Sequence, residues 1–213
     1  MSMLKGKRVL LVIAGGIAAF KALELVRLIR AMGADVRCVL TSSGSNFVTP
    51  LSLQALTGDK VYTELFSLTD ESEMGHIQLS RDADVLVVAP ATANLLARMR
   101  AGIADDLAST VLLATDKPVL VAPSMNVRMW EHPATIENMG DLLLVRSDCN
   151  QHLRQSIMEA FFTLWMNLNH RLLMNFDKNS FMNILFYPPS TLSRLVDTIQ
   201  KQYFHPTHKI DAS

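Results

Sequence analysis

Two short blocks, Ala89-Pro90-Ala91-Thr92-Ala93-Asn94 and Pro123-Ser124-Met125-Asn126-Val127-Arg128-Met129-Trp130, carry amide, hydroxyl and thioether groups and a single charged residue, Arg128. Each directly follows an apolar run that reads as a buried strand, 84–89 before the first and 118–122 before the second. Ligands of an open parallel sheet bind outside the carboxyl ends of its strands, so the two blocks are expected to meet at one pocket. Neutral polar groups beside a dry cleft suit a planar, partly apolar cofactor better than a metal ion or a nucleic-acid backbone.

His76, at the start of an expected helix behind Met74-Gly75, would add a proton-transferring group to a site with Asn94 and Asn126. Asn126 both donates and accepts, so it can hold a substrate carboxylate without adding charge, or it can simply close a turn. Asp105 and Asp106 read first as N-terminal helix residues favoured by the helix dipole and second as an acid and base. Met125 and Met129 flank Asn126 and read as a flexible clamp over a ligand or as core filler. Cys38 reads as a small core residue; Cys149 has only Arg146 and His152 nearby to lower its pKa.

Gly15-Gly16-Ile17-Ala18-Ala19 lies between the first expected strand and the first helix, where backbone amides can approach a phosphate, or where the chain merely turns tightly. It is not the dinucleotide fingerprint, and the second strand ends in Thr41-Ser42-Ser43 rather than in an acidic residue that would hold a ribose. Hydroxyls there suit a single phosphate or a flavin edge.

The elements that must position these residues follow from hydropathy. Strands are expected at 8–14, 35–41, 84–89 and 118–122, and helices at 17–32, 50–57, 74–82, 93–100 and 104–115. The alternation predicts an α/β doubly wound parallel sheet with helices on both faces. In the first helix Ala18, Leu25, Ile29 and Met32 fall near one stripe, and Gly33 follows as a helix-ending residue.

The 213 residues carry 20 basic and 20 acidic side chains and no Lys/Arg run, which argues against a nucleic acid or an anionic membrane as the main partner. No apolar run reaches the length of a membrane span, and Gly15-Gly16 opens a helix where a signal peptide would be cleaved. Two cysteines predict a reducing, cytoplasmic setting without a disulfide framework. Composition changes near Met139: all nine glycines lie at or before Gly140, while six of the nine phenylalanines and six of the ten asparagines lie in 141–213. We therefore expect one α/β domain over 1–139 and an atypical, mainly helical segment over 140–213. Within the latter, Leu153, Ile157, Phe161, Leu164, Trp165, Leu168 and Leu172 share one helical face, and Pro188-Pro189 interrupts the pattern.

The blocks Gly15-Gly16-Ile17-Ala18-Ala19-Phe20-Lys21, Met74-Gly75-His76-Ile77, Ala89–Asn94, Gly102-Ile103-Ala104-Asp105-Asp106-Leu107 and Pro123–Trp130 resemble, in order and spacing, the homo-oligomeric flavin-containing cysteine decarboxylases. Within that family the similarity is greatest to the phosphopantothenoylcysteine decarboxylases of coenzyme A biosynthesis. The resemblance implies a flavoprotein domain over 1–139, an FMN enzyme acting on 4′-phospho-N-pantothenoylcysteine. The thiol is oxidised to a thioaldehyde, carbon dioxide leaves, and the resulting enethiolate is reduced to 4′-phosphopantetheine. By the same resemblance His76 is the base, and Asn126 grips the substrate carboxylate with Met125 and Arg128 beside it. Gly15, Gly16, Ile17, Thr41, Ser43, Phe47, Ala91, Thr92, Asn94 and Met129 line the flavin. Trimers or dodecamers with FMN at a subunit boundary are implied, and no metal.

The resemblance stops near residue 139. The family's glycine-rich flap, which supplies a cysteine for the reductive half-reaction, has no counterpart here, and Cys149 does not match it. A frameshift, truncation or divergent replacement over 140–213 would leave decarboxylation intact and enethiol reduction impaired, and no ligase half is expected within these 213 residues. Three alternatives stay open on the residues alone: a non-catalytic flavin-binding module, a peptide cysteine decarboxylase, and a flavin prenyltransferase, for which only Arg128 offers a phosphate clamp.

Overall fold

The structure, a computed structural model, describes residues 4–64 and 75–145. Five parallel strands form one sheet: β1 (Arg8–Ile13), β2 (Asp35–Leu40), β3 (Val61–Tyr62), β4 (Val85–Ala91) and β5 (Val119–Pro123), in the order β3-β2-β1-β4-β5. The four expected strands are found within a residue or two of their expected bounds. β3 has only two residues, too few for any periodicity to announce it. Every residue of β4 is buried, as expected of a strand covered on both faces.

The alternating side chains of the strands feed two cores. Leu11, Ile13, Val36, Leu40 and Val87 pack under α1 (Phe20–Ala31) and α2 (Pro50–Thr57), joined by Val26, Ile29 and Leu53. Leu10, Val12, Leu86 and Val88 pack on the opposite side with Leu79 of α3 (Gly75–Asp82), Leu96 of α4 (Ala93–Ala101) and Val111 of α5 (Leu107–Ala114). Removing one of these fully buried leucines to alanine costs about 2–5 kcal/mol.

The expected helix 17–32 divides into a 3-10 turn, Ile17–Ala19, and α1, and Gly33 adopts the left-handed conformation (φ 86°) just past the C-cap Met32. Two helices were not expected: the four-residue α6 (Val127–Trp130) and α7 (Pro133–Val145), which packs on α4. The change of composition at Met139 therefore falls inside a helix rather than in a linker.

Ion pairs fix the direction of α3. Arg37 on β2 donates to Asp82 (3.1 Å) and Asp59 (3.0 Å), and the Arg8 backbone N–H donates to Asp84 (2.7 Å). These contacts hold the C-terminal end of α3 at the edge of the sheet where β1 begins. The helix consequently presents its first turn, Gly75 and His76, at the carboxyl end of the strands.

Candidate active site

Strand order reverses between β1 and β4, so the crevice at the carboxyl ends of these strands is the place where a parallel sheet accepts a ligand. Backbone hydrogen bonds join the strand ends there into a rim. Thr41 N–H and Thr41 Oγ1 both donate to Ile13 O (3.1 and 3.2 Å), and Gly44 N–H donates to Thr41 Oγ1 (3.1 Å). Ala14 N–H donates to Pro90 O (3.3 Å) and Ser124 N–H to Ala91 O (2.9 Å), which ties the end of β1 to β4 and the end of β4 to β5.

The two glycines after β1 have different reasons to be glycine. A Cβ on Gly15 would lie 2.5 Å from Ser43 Cβ and 2.8 Å from the Ser43 carbonyl carbon, so the neighbouring loop excludes any side chain. A Cβ on Gly16 would meet only Thr92 Cγ2, at 3.8 Å, and its extended backbone (φ 166°) suits any residue. The protein itself leaves the space beside Gly16 open.

Around this opening stand hydroxyls and solvent-facing apolar groups. Thr41 Oγ1 and Ser43 Oγ lie 3.2 Å apart. Thr92 caps α4 by accepting from Leu95 N–H (3.3 Å), and Asn94 in the first turn is exposed. Ile17, Phe47 and Met129 are 75, 45 and 43% exposed, a costly display for large apolar side chains that a planar ligand would cover.

Asn126 meets the structural one of its two sequence readings and leaves a donor spare for the other. Its Oδ1 accepts from Met129 N–H (2.9 Å) and so caps α6, while the exposed amide nitrogen remains to donate. A carboxylate only accepts, so the half of the amide left over is the half such a substrate needs. His76 is half-buried in the first turn of α3, at the same end of the sheet as Asn126.

Several expected site residues turn out otherwise placed. Asp105 and Asp106 follow their first reading, at the N-terminus of α5, and do not form a free acid–base pair. Arg98 Nη1 donates to both (2.6 and 2.9 Å), and Asp106 caps α5 in a reciprocal box with Ser109. Ala91 is fully buried inside β4, so it can shape the pocket floor but not offer its methyl group. The methionine clamp divides: Met125 is half-buried against the core, and only Met129 faces outward. Arg128 is exposed on α6. Cys38 is a core residue as expected, and burial pushes its thiol pKa up to about 12. Met74, Cys149 and the helical face of 153–172 lie outside the described residues. Among the described residues no His, Cys, Asp or Glu cluster could hold a metal ion, and no helix is long and apolar enough to cross a membrane.

The bond from Arg98 to the Asp pair escaped the sequence reading because seven and eight residues separate the partners across a turn, outside the helical i,i+4 rule.

The model of the Flavoprotein family matches residues 1–149. The chain is 47% identical over 142 residues to the coenzyme A biosynthesis bifunctional protein CoaBC of Vibrio vulnificus strain YJ016, covering 67% of this chain and 35% of the relative. It is 50% identical over 136 residues to CoaBC of Escherichia coli strain K12, covering 64% and 34%. The chain thus spans about a third of the length of these curated relatives. Among solved structures, a cysteine-to-serine mutant of a PPC decarboxylase superposes with a TM-score of 0.58 at 31% identity, covering 74% of this chain and 98% of that one. The FMN-dependent cysteine decarboxylase SpaF superposes with a TM-score of 0.62 at 32% identity, covering 65% and 80%. With the family model spanning most of the chain, this chain belongs to the Flavoprotein family.

Proposed function

We propose that the chain binds FMN and decarboxylates 4′-phospho-N-pantothenoylcysteine, a step of coenzyme A biosynthesis. The observation that carries this reading is the rim itself: open space at Gly16, hydroxyls at Thr41, Ser43 and Thr92, and exposed Ile17, Phe47 and Met129, all beside the topological switch. Backbone amides at the Gly15–Ile17 turn suit a phosphate monoester, and the apolar groups suit a tricyclic ring. The donor set is neutral, as fits a flavin and not a metal. Similarity to CoaBC and to a PPC decarboxylase structure complexed with pantothenoylaminoethenethiol supports the substrate class.

When bound, FMN supplies a two-electron oxidation of the substrate thiol, without which a carbanion next to the lost carboxylate could not form at neutral pH. The protein does the rest. Asn126 donates its amide N–H to the substrate carboxylate while its Oδ1 stays engaged with Met129 N–H. His76 would take the proton of the substrate thiol as that thiol is oxidised and return a proton to the product, and Arg128 beside Asn126 would attract the anionic substrate. Ile17, Phe47 and Met129 exclude water from the ring. Assembly into homo-oligomers and cytoplasmic residence belong to the same reading.

Purified protein should show oxidised-flavin absorbance at about 370 and 450 nm and release carbon dioxide from the substrate. A colourless protein that added FMN does not restore would refute it. The product identifies the flap's contribution: an unsaturated thiol is expected if the reductive step lacks its cysteine, and 4′-phosphopantetheine if it does not.

A further inference from the structure

The helix that delivers His76 keeps one buried hydroxyl without a partner. His76, Leu79, Ser80 and Ala83 recur at i, i+3, i+4 and i+7, so they share the face that α3 and the residue after it turn toward the core. Leu79 and Ala83 are buried there in one cluster with Ala108, Val111 and Leu112 of α5, the helix on which α3 packs, and His76 at the outer end of the stripe is half-buried. Ser80 is only 1% exposed, and among the described residues its Oγ is the one buried side-chain polar atom with no hydrogen-bond partner. Serines inside helices often return the hydroxyl to the carbonyl four residues back, and Ser80 does not. The hydroxyls of α5 are already engaged: Ser109 Oγ donates to Asp106 Oδ1 (2.7 Å) and Thr110 Oγ1 donates to Asp106 O (2.6 Å). An unsatisfied buried hydroxyl is destabilising, and alanine would fill nearly the same space without that cost. Packing alone therefore gives no reason for serine at this position.

Helix geometry points the hydroxyl toward His76. Cα–Cβ bonds tilt toward the helix N-terminus, so the Ser80 side chain lies over the turn that carries His76. Cβ atoms four residues apart in a helix are about 5–6 Å from each other. Oγ stands one bond beyond its Cβ and Nδ1 two bonds beyond its own, which brings the pair within hydrogen-bond reach when the imidazole turns along the helix. We infer that Ser80 is a positioning residue for His76: its Oγ accepts a hydrogen bond from imidazole Nδ1–H and leaves Nε2 unprotonated toward the crevice. This rests on the reading of His76 as the proton-transferring group. A neutral imidazole carries its proton on one nitrogen and accepts with the other, so the partner of the first sets the task of the second. With Nδ1 held, Nε2 takes the thiol proton, and the imidazolium so formed keeps its Nδ1–H bond to Ser80 until the proton is returned. A hydroxyl does this without adding charge to a site whose other substrate donor, Asn126, is also neutral.

The test uses the full-length protein with FMN bound. Nitrogen NMR of the imidazoles, with His76 assigned by the signal lost in His76→Asn, should show the neutral ring protonated on Nδ1 and free on Nε2. Ser80→Ala should abolish that preference while flavin absorbance persists and the Tm stays the same or rises, since only an unpaired hydroxyl is deleted. It should lower kcat for carbon dioxide release about 10- to 100-fold with KM unchanged, the scale seen when the outer partners of metal-bound histidines are removed. A serine that merely lets α3 and α5 approach closely would move neither the tautomer nor kcat, because alanine is as small. A neutral His76 protonated on Nε2 in the unsubstituted protein would overturn the inference without any variant of Ser80, and so would full kcat in Ser80→Ala. His76→Asn measured in parallel keeps two failures apart: carbon dioxide release intact there refutes His76 as the base, whereas intact release in Ser80→Ala alone refutes only the partnership with Ser80.

Discussion

Gly15 and Gly16 are adjacent, and replacing each by alanine should have opposite consequences. At Gly15 the new methyl would stand 2.5 Å from Ser43 Cβ, 2.7 Å from its hydroxyl and 2.8 Å from its carbonyl carbon. The last of these is backbone, so no rotamer change relieves it, and the loop after β2 must move. Overpacking of this kind costs about 2 kcal/mol. In a domain of this size it corresponds to a fall of roughly 4–8 °C in the apoprotein Tm. At Gly16 the nearest atom is Thr92 Cγ2 at 3.8 Å and the backbone is ordinary, so the apoprotein Tm should stay within about 1 °C. The methyl at Gly16 would instead occupy the space offered to the phosphate. Losing one charge-assisted hydrogen bond there costs about 1.5–3 kcal/mol, or roughly 10- to 150-fold in the Kd of FMN. Thermal unfolding of apoprotein and flavin-fluorescence titration separate the two effects. A Gly16→Ala apoprotein destabilised as much as Gly15→Ala, or one that binds FMN with unchanged affinity, would refute the idea that Gly16 is open for a ligand.

Other substitutions probe the remaining roles. His76→Asn should retain bound flavin yet lower carbon dioxide release by about 10²–10⁴-fold, the usual share of a general base; release above that range would remove His76 from the reaction. Asn126→Asp keeps an oxygen to cap Met129 N–H but replaces the amide donor with a negative charge, so KM should rise with the Tm unchanged. Asp106→Ala removes the α5 cap and should cost about 1 kcal/mol by thermal unfolding, whereas Asp106→Asn, an equally good cap, should cost less. Burial raises the Cys38 pKa from 9.0 to about 12, so the unfolded chain loses this proton first as pH rises. Stability from this group should thus be complete below pH 9.0 and fall between 9.0 and about 12, and Cys38→Ala should flatten that part of the urea-stability profile.

Much of the fold was legible because its signals are local. The uninterrupted apolar run Val85–Ala89 reads as a strand buried on both faces, and Thr92 stands just before the expected helix 93–100, where a capping residue belongs. The candidate site residues could be placed at strand ends for the same reason, while the position of the switch between β1 and β4 needed the strand order. What the chain alone left open depended on partners far apart in sequence. Two-residue β3 exists because β2 offers it a ladder edge, and Gly15 must be glycine because Ser43, 28 positions on, is folded against it. Asp105 and Asp106 lost their acid–base reading to an arginine on the preceding helix, and Asn126 had its acceptor committed to Met129 N–H only when α6 formed. Propensity and periodicity act within a few residues and therefore write themselves into the sequence. Close approach, ion pairing and the division of a side chain's hydrogen bonds arise between elements, and only the packed sheet with its helices decides them.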